Sequence, residues 1–491
     1  MDRILTRVEK PARYIGGEWN SVVKEKADVR FALLFPDVYE IGMSHLGSRI
    51  LYHVLNGEDG IACERAYAPW PDMERALRDE GEPLFSLETK RPLGTFDILG
   101  FSLLYEMCYT NVLQMLDLSG VPFRAADRGE QDPLVVCGGP CACNPEPVAP
   151  FMDAVMIGDG EEMILDLVRA YRRAKAAGRS KAELLKELAG IRGVYVPSVH
   201  QRGDVVVRRI VRDLDGAAFT GKPVVPYLSI VHDRVALEVM RGCTRGCRFC
   251  QAGYIYRPVR ERKSETLLGL AREQVACTGY DEVSLLSLST GDYSEVHTLV
   301  PAIIREMEQN RVSVALPSLR VDSELAADLA VMRSVRKAGL TFAPEAGTQR
   351  LRDVINKNVT EEDIFRATAD AFSAGWNGVK LYFMIGLPTE TDEDVAGIAE
   401  LTRRISAQFY ALPKEKRGRG LRMTVSVATF VPKPFTAFQW CGQLPEEEIR
   451  RRQELLRAAM KGVRGAELHC HFSMLSVLEA AFSRGDRKLS D

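Results

Sequence analysis

Two stretches of this chain alternate short apolar runs with segments of helical period, and a turn-rich span lacking that alternation lies between them. No other feature narrows the fold as much. Strands that alternate with helices are driven into a parallel sheet covered by helices on its faces. The first stretch begins at Val29, after a turn-rich extension over residues 1–28. Phe31-Ala32-Leu33-Leu34-Phe35 has the unbroken hydrophobicity of a doubly buried strand and stops at Pro36. Leu46, Ile50, Leu51, Val54 and Leu55 then recur at helical spacing. Further apolar runs at 96–101, 134–139 and 154–158 end at or beside glycines, with helical stretches near 70–80, 108–119 and 161–189. Residues 29–192 are expected to form a doubly wound α/β domain.

In residues 193–230, Val194-Tyr195-Val196 and Val205-Val206-Val207 flank Gln201-Arg202-Gly203-Asp204, the pattern of a hairpin linker. Alternation then resumes with six strand candidates, Arg234–Met240, Glu282–Ser287, Ser313–Leu316, Leu340–Ala343, Val379–Ile385 and Thr424–Phe430. A complete eight-unit barrel takes ~250 residues, so residues 231–440 suit a partial (β/α)6 TIM-like barrel. Residues 441–491 read as a mostly helical tail.

Lys and Arg total 65 against 67 for Asp and Glu, a balance that gives no global signal for nucleic acid or membrane. No run approaches the ~20 apolar residues of a membrane span, and no signal peptide opens the chain. Eleven cysteines without a secretory signal point to the reducing cytoplasm and to thiolate ligands before disulfides.

The densest chemistry lies just past the first barrel strand. Cys243, Cys247 and Cys250 have C-x3-C-x2-C spacing, with Gly242 and Gly246 free to wrap the backbone closely. Three neighbouring thiolates can hold three corners of an iron–sulfur cubane and leave the fourth iron open. Structural zinc is the rival, but zinc wants four protein ligands and no fourth Cys or His follows nearby. The span Arg241–Lys263 carries seven basic residues and one acid, Glu261. A solvated loop is the default reading of that charge, and service to an anionic cofactor the second. RNA binding is the least favoured, suggested by Tyr254 and Tyr256 among the charges.

C-x3-C-x-(aromatic)-C at the end of a first barrel strand, with Phe249 as the aromatic, resembles the signature of the radical S-adenosylmethionine (SAM) superfamily. The resemblance implies a [4Fe–4S] cluster on Cys243, Cys247 and Cys250, with its open iron chelating the amino and carboxylate groups of SAM. It also implies a one-electron reductant such as flavodoxin or ferredoxin, and a substrate that the sequence does not identify. The implied SAM contacts follow at successive strand ends. Ser289, Thr290 and Asp292 lie after strand two, and Ser318 and Arg320 after strand three. Glu345 and Gly347 lie after strand four, and Gly386 and Pro388 in a Gly-x-Pro-x-Glu-Thr turn after strand five.

A doubly wound domain ahead of such a barrel is similar to the Rossmann-like, cobalamin-binding arrangement of B12-dependent radical SAM enzymes. The D-x-H-x-x-G loop of cobalamin domains stands here as Asp37-Val38-Tyr39-Glu40-Ile41-Gly42, with Tyr39 in place of the histidine. Neutral phenol is a poor cobalt ligand, so cobalamin would sit here without a His lower ligand unless His45 or water served. Gly138-Gly139-Pro140 and Gly158-Asp159-Gly160 resemble the glycine turns of those domains. With cobalamin, methyl transfer to carbon is the implied outcome. Two alternatives stay open, methylthiolation of tRNA or ribosomal protein and a non-catalytic iron–sulfur scaffold. Against methylthiolation, Cys137, Cys141 and Cys143 crowd one turn instead of spreading widely, with Cys63 and Cys108 elsewhere. The trio His469-Cys470-His471 reads as structural. Over nearly its whole length the chain resembles an uncharacterised bacterial family of B12-domain radical SAM proteins. Members often continue into a further C-terminal domain, so a partner domain or protein is expected beyond Asp491.

Overall fold

In the computed structural model, residues 2–315, 340–417 and 420–491 are described. The chain forms two compact units, Met1–Asp233 with Ala276–Gly279 and Gly485–Asp491, and Arg234–Val275 with Tyr280–Arg484. No described helix is long and apolar enough to cross a membrane.

The first unit is built on strands β1 (Val29–Phe35), β2 (Ile61–Tyr67), β3 (Ile98–Ser102), β4 (Leu134–Gly138), β5 (Ala154–Met156) and β6 (Val194–Tyr195). They order as β2-β1-β3-β4-β5-β6, parallel except for β6. The order reverses between β1 and β3, and open α/β sheets bind ligands at such a reversal, beyond the strand C-termini. Here the reversal lies between the segments that follow Phe35 and Ser102, the first of which carries Asp37.

Two features depart from the sequence expectation. Strand β2 carries Glu64 and Arg65 mid-strand, which hides its apolar character, yet both are buried. Glu64 Oε2 accepts from Ser86 Oγ and Thr89 Oγ1, each at 2.6 Å. The hairpin expected over 193–230 does not form. Val194–Tyr195 instead extends the sheet antiparallel to β5, Arg209 bridges to Gly158, and Val205 is left 85% exposed outside any strand. A nearby sheet edge outcompetes a local hairpin that would bury nothing.

The second unit is the partial βα barrel. Its strands are β7 (Val235–Glu238), β10 (Glu282–Leu286), β11 (Ser313–Ala315), β12 (Leu340–Glu345), β13 (Gly378–Ile385), β14 (Arg422–Thr429) and β15 (Ala466–Cys470), with a short ribbon of β8 (Met240–Arg241) and β9 (Arg260–Glu261). Among the described residues they make the parallel sheets β11-β10-β7 and β12-β13-β14-β15. The tail is therefore not purely helical, because Ala466–Cys470 adds a seventh parallel strand between helices Glu446–Met460 and Ser473–Arg484. Its Glu467 and His469 disguised it as a polar segment.

Candidate functional site

The cysteine loop leaves β8 and returns through β9, whose pairing of Met240 with Glu261 and Arg241 with Arg260 closes its base. Gly242 has φ +96°, and a Cβ there would meet the Pro258 carbonyl oxygen at 2.8 Å, so no other residue turns the chain here. Cys243, Cys247 and Cys250 are partly exposed. The amide of Arg245 points at Cys243 Sγ (3.5 Å) and that of Gly253 at Cys250 Sγ (3.4 Å). Burial pushes the Cys250 thiol up, against the pull of the Gly253 N–H. Among the described residues no three His, Cys, Asp or Glu side chains meet as a single-ion site requires. Partly exposed thiols on one loop, with amides aimed at two sulfurs, fit a cubane, whose ligands spread around a cluster.

Phe249 packs against Ala346, Leu351, Ile355, Leu387 and Phe430, a cluster at and beyond the ends of β12, β13 and β14 on which Met384 also packs. The loop is pinned there also by Arg248 N to Ile355 O (3.0 Å) and Asn356 Nδ2 to Gly246 O (3.0 Å). The aromatic between the second and third cysteines thus anchors the loop that carries the thiols.

At the end of β10, Ser289 and Thr290 are buried and their hydroxyls are engaged within the turn, Ser289 Oγ donating to Asp292 Oδ2 (2.7 Å) and Thr290 Oγ1 lying 2.9 Å from Ser287 Oγ. Asp292 takes a two-pronged ion pair from Arg245, with Nε at 2.7 Å from Oδ2 and Nη2 on Oδ1. A residue inside the cysteine motif thereby grips the segment expected to meet the SAM amino group. Glu345 ends β12 at φ +68° and pairs with Lys357 Nζ at 3.0 Å. Gly347 lies so close to the helix Asp392–Ala411 that a Cβ would sit 2.2 Å from Ile398 N. In the turn after β13, half-buried Pro388 follows Gly386, whose N–H donates to Glu390 Oε2 at 2.7 Å. Burial pushes the Glu390 carboxyl up, opposed by the Gly386 N–H and by Arg452. Its buried Oε1 has no hydrogen-bond partner among the described residues. Ser318 and Arg320 lie outside the described residues. Sequence reasoning missed Arg245, Lys357 and Glu390 as members of this set. Glu390 was within reach, as the acid of the Gly-x-Pro-x-Glu-Thr turn.

In the first unit the cobalamin-like motif is closed upon itself. Tyr39 is buried and donates to Glu18 Oε1 (3.0 Å), so burial and that carboxylate push the phenol far up. Glu18 and Glu88 share the buried Arg65, at 2.9 and 2.7 Å. Burial pushes both carboxyls up; Arg65 outweighs it at Glu18, which ends below its ordinary value, but not at Glu88. Gly42 packs under Tyr67, where a Cβ would sit 2.3 Å from the ring. His45 caps the helix Leu46–Gly57, its Nδ1 accepting from Ser48 N at 3.2 Å. Gly139 and Gly158 have φ +105° and +117°, and a Cβ would strike the carbonyl oxygens of Leu103 (2.6 Å) and Arg209 (2.1 Å). Gly138 faces Met156 and Gly160 faces Leu51 without clash, while Asp37 is half-buried, with a carboxyl pushed up by burial. The chain's own backbone therefore accounts for Gly139 and Gly158, and Tyr39, whose hydroxyl is given to Glu18, does not fit a cobalt ligand, while His45 is engaged through Nδ1. Cys137 and Cys141 are buried, burial pushes the Cys137 thiol well up, and His469 lies on β15, 3.2 Å from Glu467.

Residues 237–402 match the radical SAM superfamily and residues 47–197 match the N-terminal domain of radical SAM proteins. An uncharacterised protein of Methanocaldococcus jannaschii is 29% identical over 466 residues, covering 94% of this chain and 89% of the relative. A tRNA-2-methylthio-N(6)-dimethylallyladenosine synthase of Carboxydothermus hydrogenoformans is 26% identical over 240 residues, about half of either chain (45% and 49%). Among solved structures, the radical SAM methyltransferase TsrM of Kitasatospora setae, with cobalamin and a [4Fe–4S] cluster bound, shares the fold at a TM-score of 0.56 and 14% identity. That likeness covers 81% of this chain and 74% of TsrM. The chain belongs to the radical SAM superfamily, and by that membership it is an enzyme that works with a [4Fe–4S] cluster and SAM.

Proposed function

We propose that this enzyme cleaves SAM reductively and abstracts a hydrogen atom from a substrate held in the barrel. The observation that carries this reading is the cysteine loop, whose three thiols are held by the Phe249 anchor and the Arg245–Asp292 grip on the side where strand ends gather. A bound cluster would supply the single electron that reductive cleavage of the SAM sulfur–carbon bond requires, and Cys243, Cys247 and Cys250 would hold it. Arg245 and Asp292, paired with each other, would present one charge of each sign to the carboxylate and amino ends of SAM. The Gly386 turn and the unpartnered Glu390 Oε1 offer an acceptor near the β13 end. A small-protein reductant of the flavodoxin or ferredoxin kind supplies the electron.

Anaerobic reconstitution with iron, sulfide, SAM and dithionite tests the reading. Wild-type protein is expected to release 5′-deoxyadenosine, and a fully loaded cluster that releases none would overturn it.

A second reading, methyl transfer with cobalamin, draws support from the fold likeness to TsrM, which extends over both units. Tyr39, in the place of the lower ligand, gives its hydroxyl to Glu18, so a corrin here would be held without a tyrosine ligand. Mass spectrometry of pigment released from protein made with B12 decides this, because a cluster-loaded preparation without corrin removes the reading. Methylthiolation is supported only by relatives matched over about half their length.

A further inference from the structure

One face of the β12–β15 sheet is apolar and the other is not. Val379, Leu381, Phe383 and Ile385 of β13 share a core with Val425 and Val427 of β14 and with helices Glu361–Ser373, Asp392–Ala411 and Glu446–Met460. Strand alternation sends the intervening residues to the opposite face. Helices form the outer ring of a βα barrel, so that helix-free face lines the interior. The register arranges its side chains in rows, with Lys380 aligned with Thr424 and Glu467, and Tyr382 with Ser426 and His469.

These groups are already oriented. Lys380 Nζ sits 4.7 Å from the centre of the Tyr382 ring, and His469 Nε2 is 3.2 Å from Glu467 Oε1. Tyr382 is 38% exposed, although it lies in a central strand of the sheet. Met384, the next residue up the same face, packs into the cluster that anchors Phe249 between Cys247 and Cys250. Strands rise ~3.3 Å per residue, so Tyr382 lies about 7 Å and Lys380 about 13 Å below Met384 along β13. The polar rows therefore begin directly beneath the cysteine loop.

We propose that Lys380, Tyr382, Ser426 and His469 form the wall that binds substrate, and that they hold a carboxylate or phosphate of it. The proposal rests on the radical SAM reading above and adds the class of substrate. An ammonium, a phenol, a hydroxyl and an imidazole present donors to one volume. Glu467 is the one carboxylate in these two rows, and it sits on the edge strand against His469. An apolar substrate would desolvate these groups and leave them without partners, which is unfavourable. An anion satisfies them, and its anchor lies two to four residues below Met384 along β13.

Acylation of Lys380 by an N-hydroxysuccinimide ester, read by peptide mass spectrometry on cluster-loaded protein, tests this with inorganic phosphate and acetate as probes. One of the two anions is expected to slow modification of Lys380 selectively over surface lysines, and which one does so identifies the group. His469→Ala is expected to weaken that protection about tenfold, the loss of one charge-assisted contact. Iron content shows that the variant has folded and loaded. The same wild-type preparation is assayed for 5′-deoxyadenosine. Protein that releases it, yet shows no selective protection by either anion, overturns the wall while leaving the radical reading intact. Protection without 5′-deoxyadenosine supports the wall and overturns the radical reading.

Discussion

The strand ends of the two units carry motifs of similar appearance in sequence and use them in opposite ways. In the first unit, Tyr39 and three of the glycines, Gly42, Gly139 and Gly158, are taken up internally, by Glu18, Tyr67 and the backbones of Leu103 and Arg209. In the second, the loop after β8 holds three partly exposed thiols, and the turn after β13 leaves a carboxylate oxygen without a partner among the described residues. A glycine-rich strand end is thus evidence of a ligand only when nothing within the chain explains the glycine. A buried network stabilises a fold, whereas unsatisfied groups at a strand end are kept at a cost that a bound ligand offsets.

The contrast can be broken most forcefully at the cysteines. Cys243→Ala should abolish cluster loading and 5′-deoxyadenosine release, with the urea midpoint of the first unit unmoved, as read by iron analysis and circular dichroism. Arg65→Met should do the reverse. It strands Glu18 and Glu88 in the interior, and removing one partner of a buried pair costs about 3–5 kcal/mol. Equilibrium unfolding should show that loss with cluster loading retained, and a cluster-free Arg65→Met protein that remains stable would invert the comparison. Gly158→Ala should cost about 1–3 kcal/mol, because it adds an unfavourable backbone conformation to a clash with Arg209. Should it prove neutral, Gly158 is free for a ligand after all.

The smallest effect concerns pH. Burial, assisted by the nearby Arg49, lowers His45 to about 4. The unfolded chain, with the ordinary value of 6.5, takes the proton first, so this contribution is complete above about 6.5 and is lost as pH falls toward 4. Urea midpoints from pH 7.5 down to 5 should decline in the wild type. The decline should be shallower in His45→Asn, which keeps a capping oxygen without titrating.

Much of this was legible in the sequence because it is local. Phe31–Phe35 reads as a buried strand from five neighbouring residues, and the spacing of Cys243, Cys247 and Cys250 is a property of one loop. Strands β2 and β15 were hidden because Glu64, Arg65, Glu467 and His469 interrupt their apolar pattern, and only the assembled sheet shows where those charges go. The Arg245–Asp292 pair joins residues 47 positions apart, and the Glu18–Arg65 pair likewise spans separate elements. Local periodicity carries no information on such pairings. Tyr39 was visible as a departure from a histidine, but its role as a donor to Glu18 depends on a residue from the N-terminal extension.

Gly347 has a consequence for how such a sequence can vary. The approach is reciprocal: a Cβ on Gly347 would lie 2.5 Å from the carbonyl carbon of Gly397, and one on Gly397 would lie 2.7 Å from the Thr348 side chain and 3.3 Å from the Gly347 backbone. Side-chain clashes can be relieved by shrinking a neighbour, but a main-chain contact offers nothing to shrink. Gly347 is therefore locked, while the severe clash at Gly397 is with a side chain. A saturation library selected for folding should empty the 347 column of everything but glycine with no second-site change refilling it, whereas shrinking Thr348 should readmit alanine at 397.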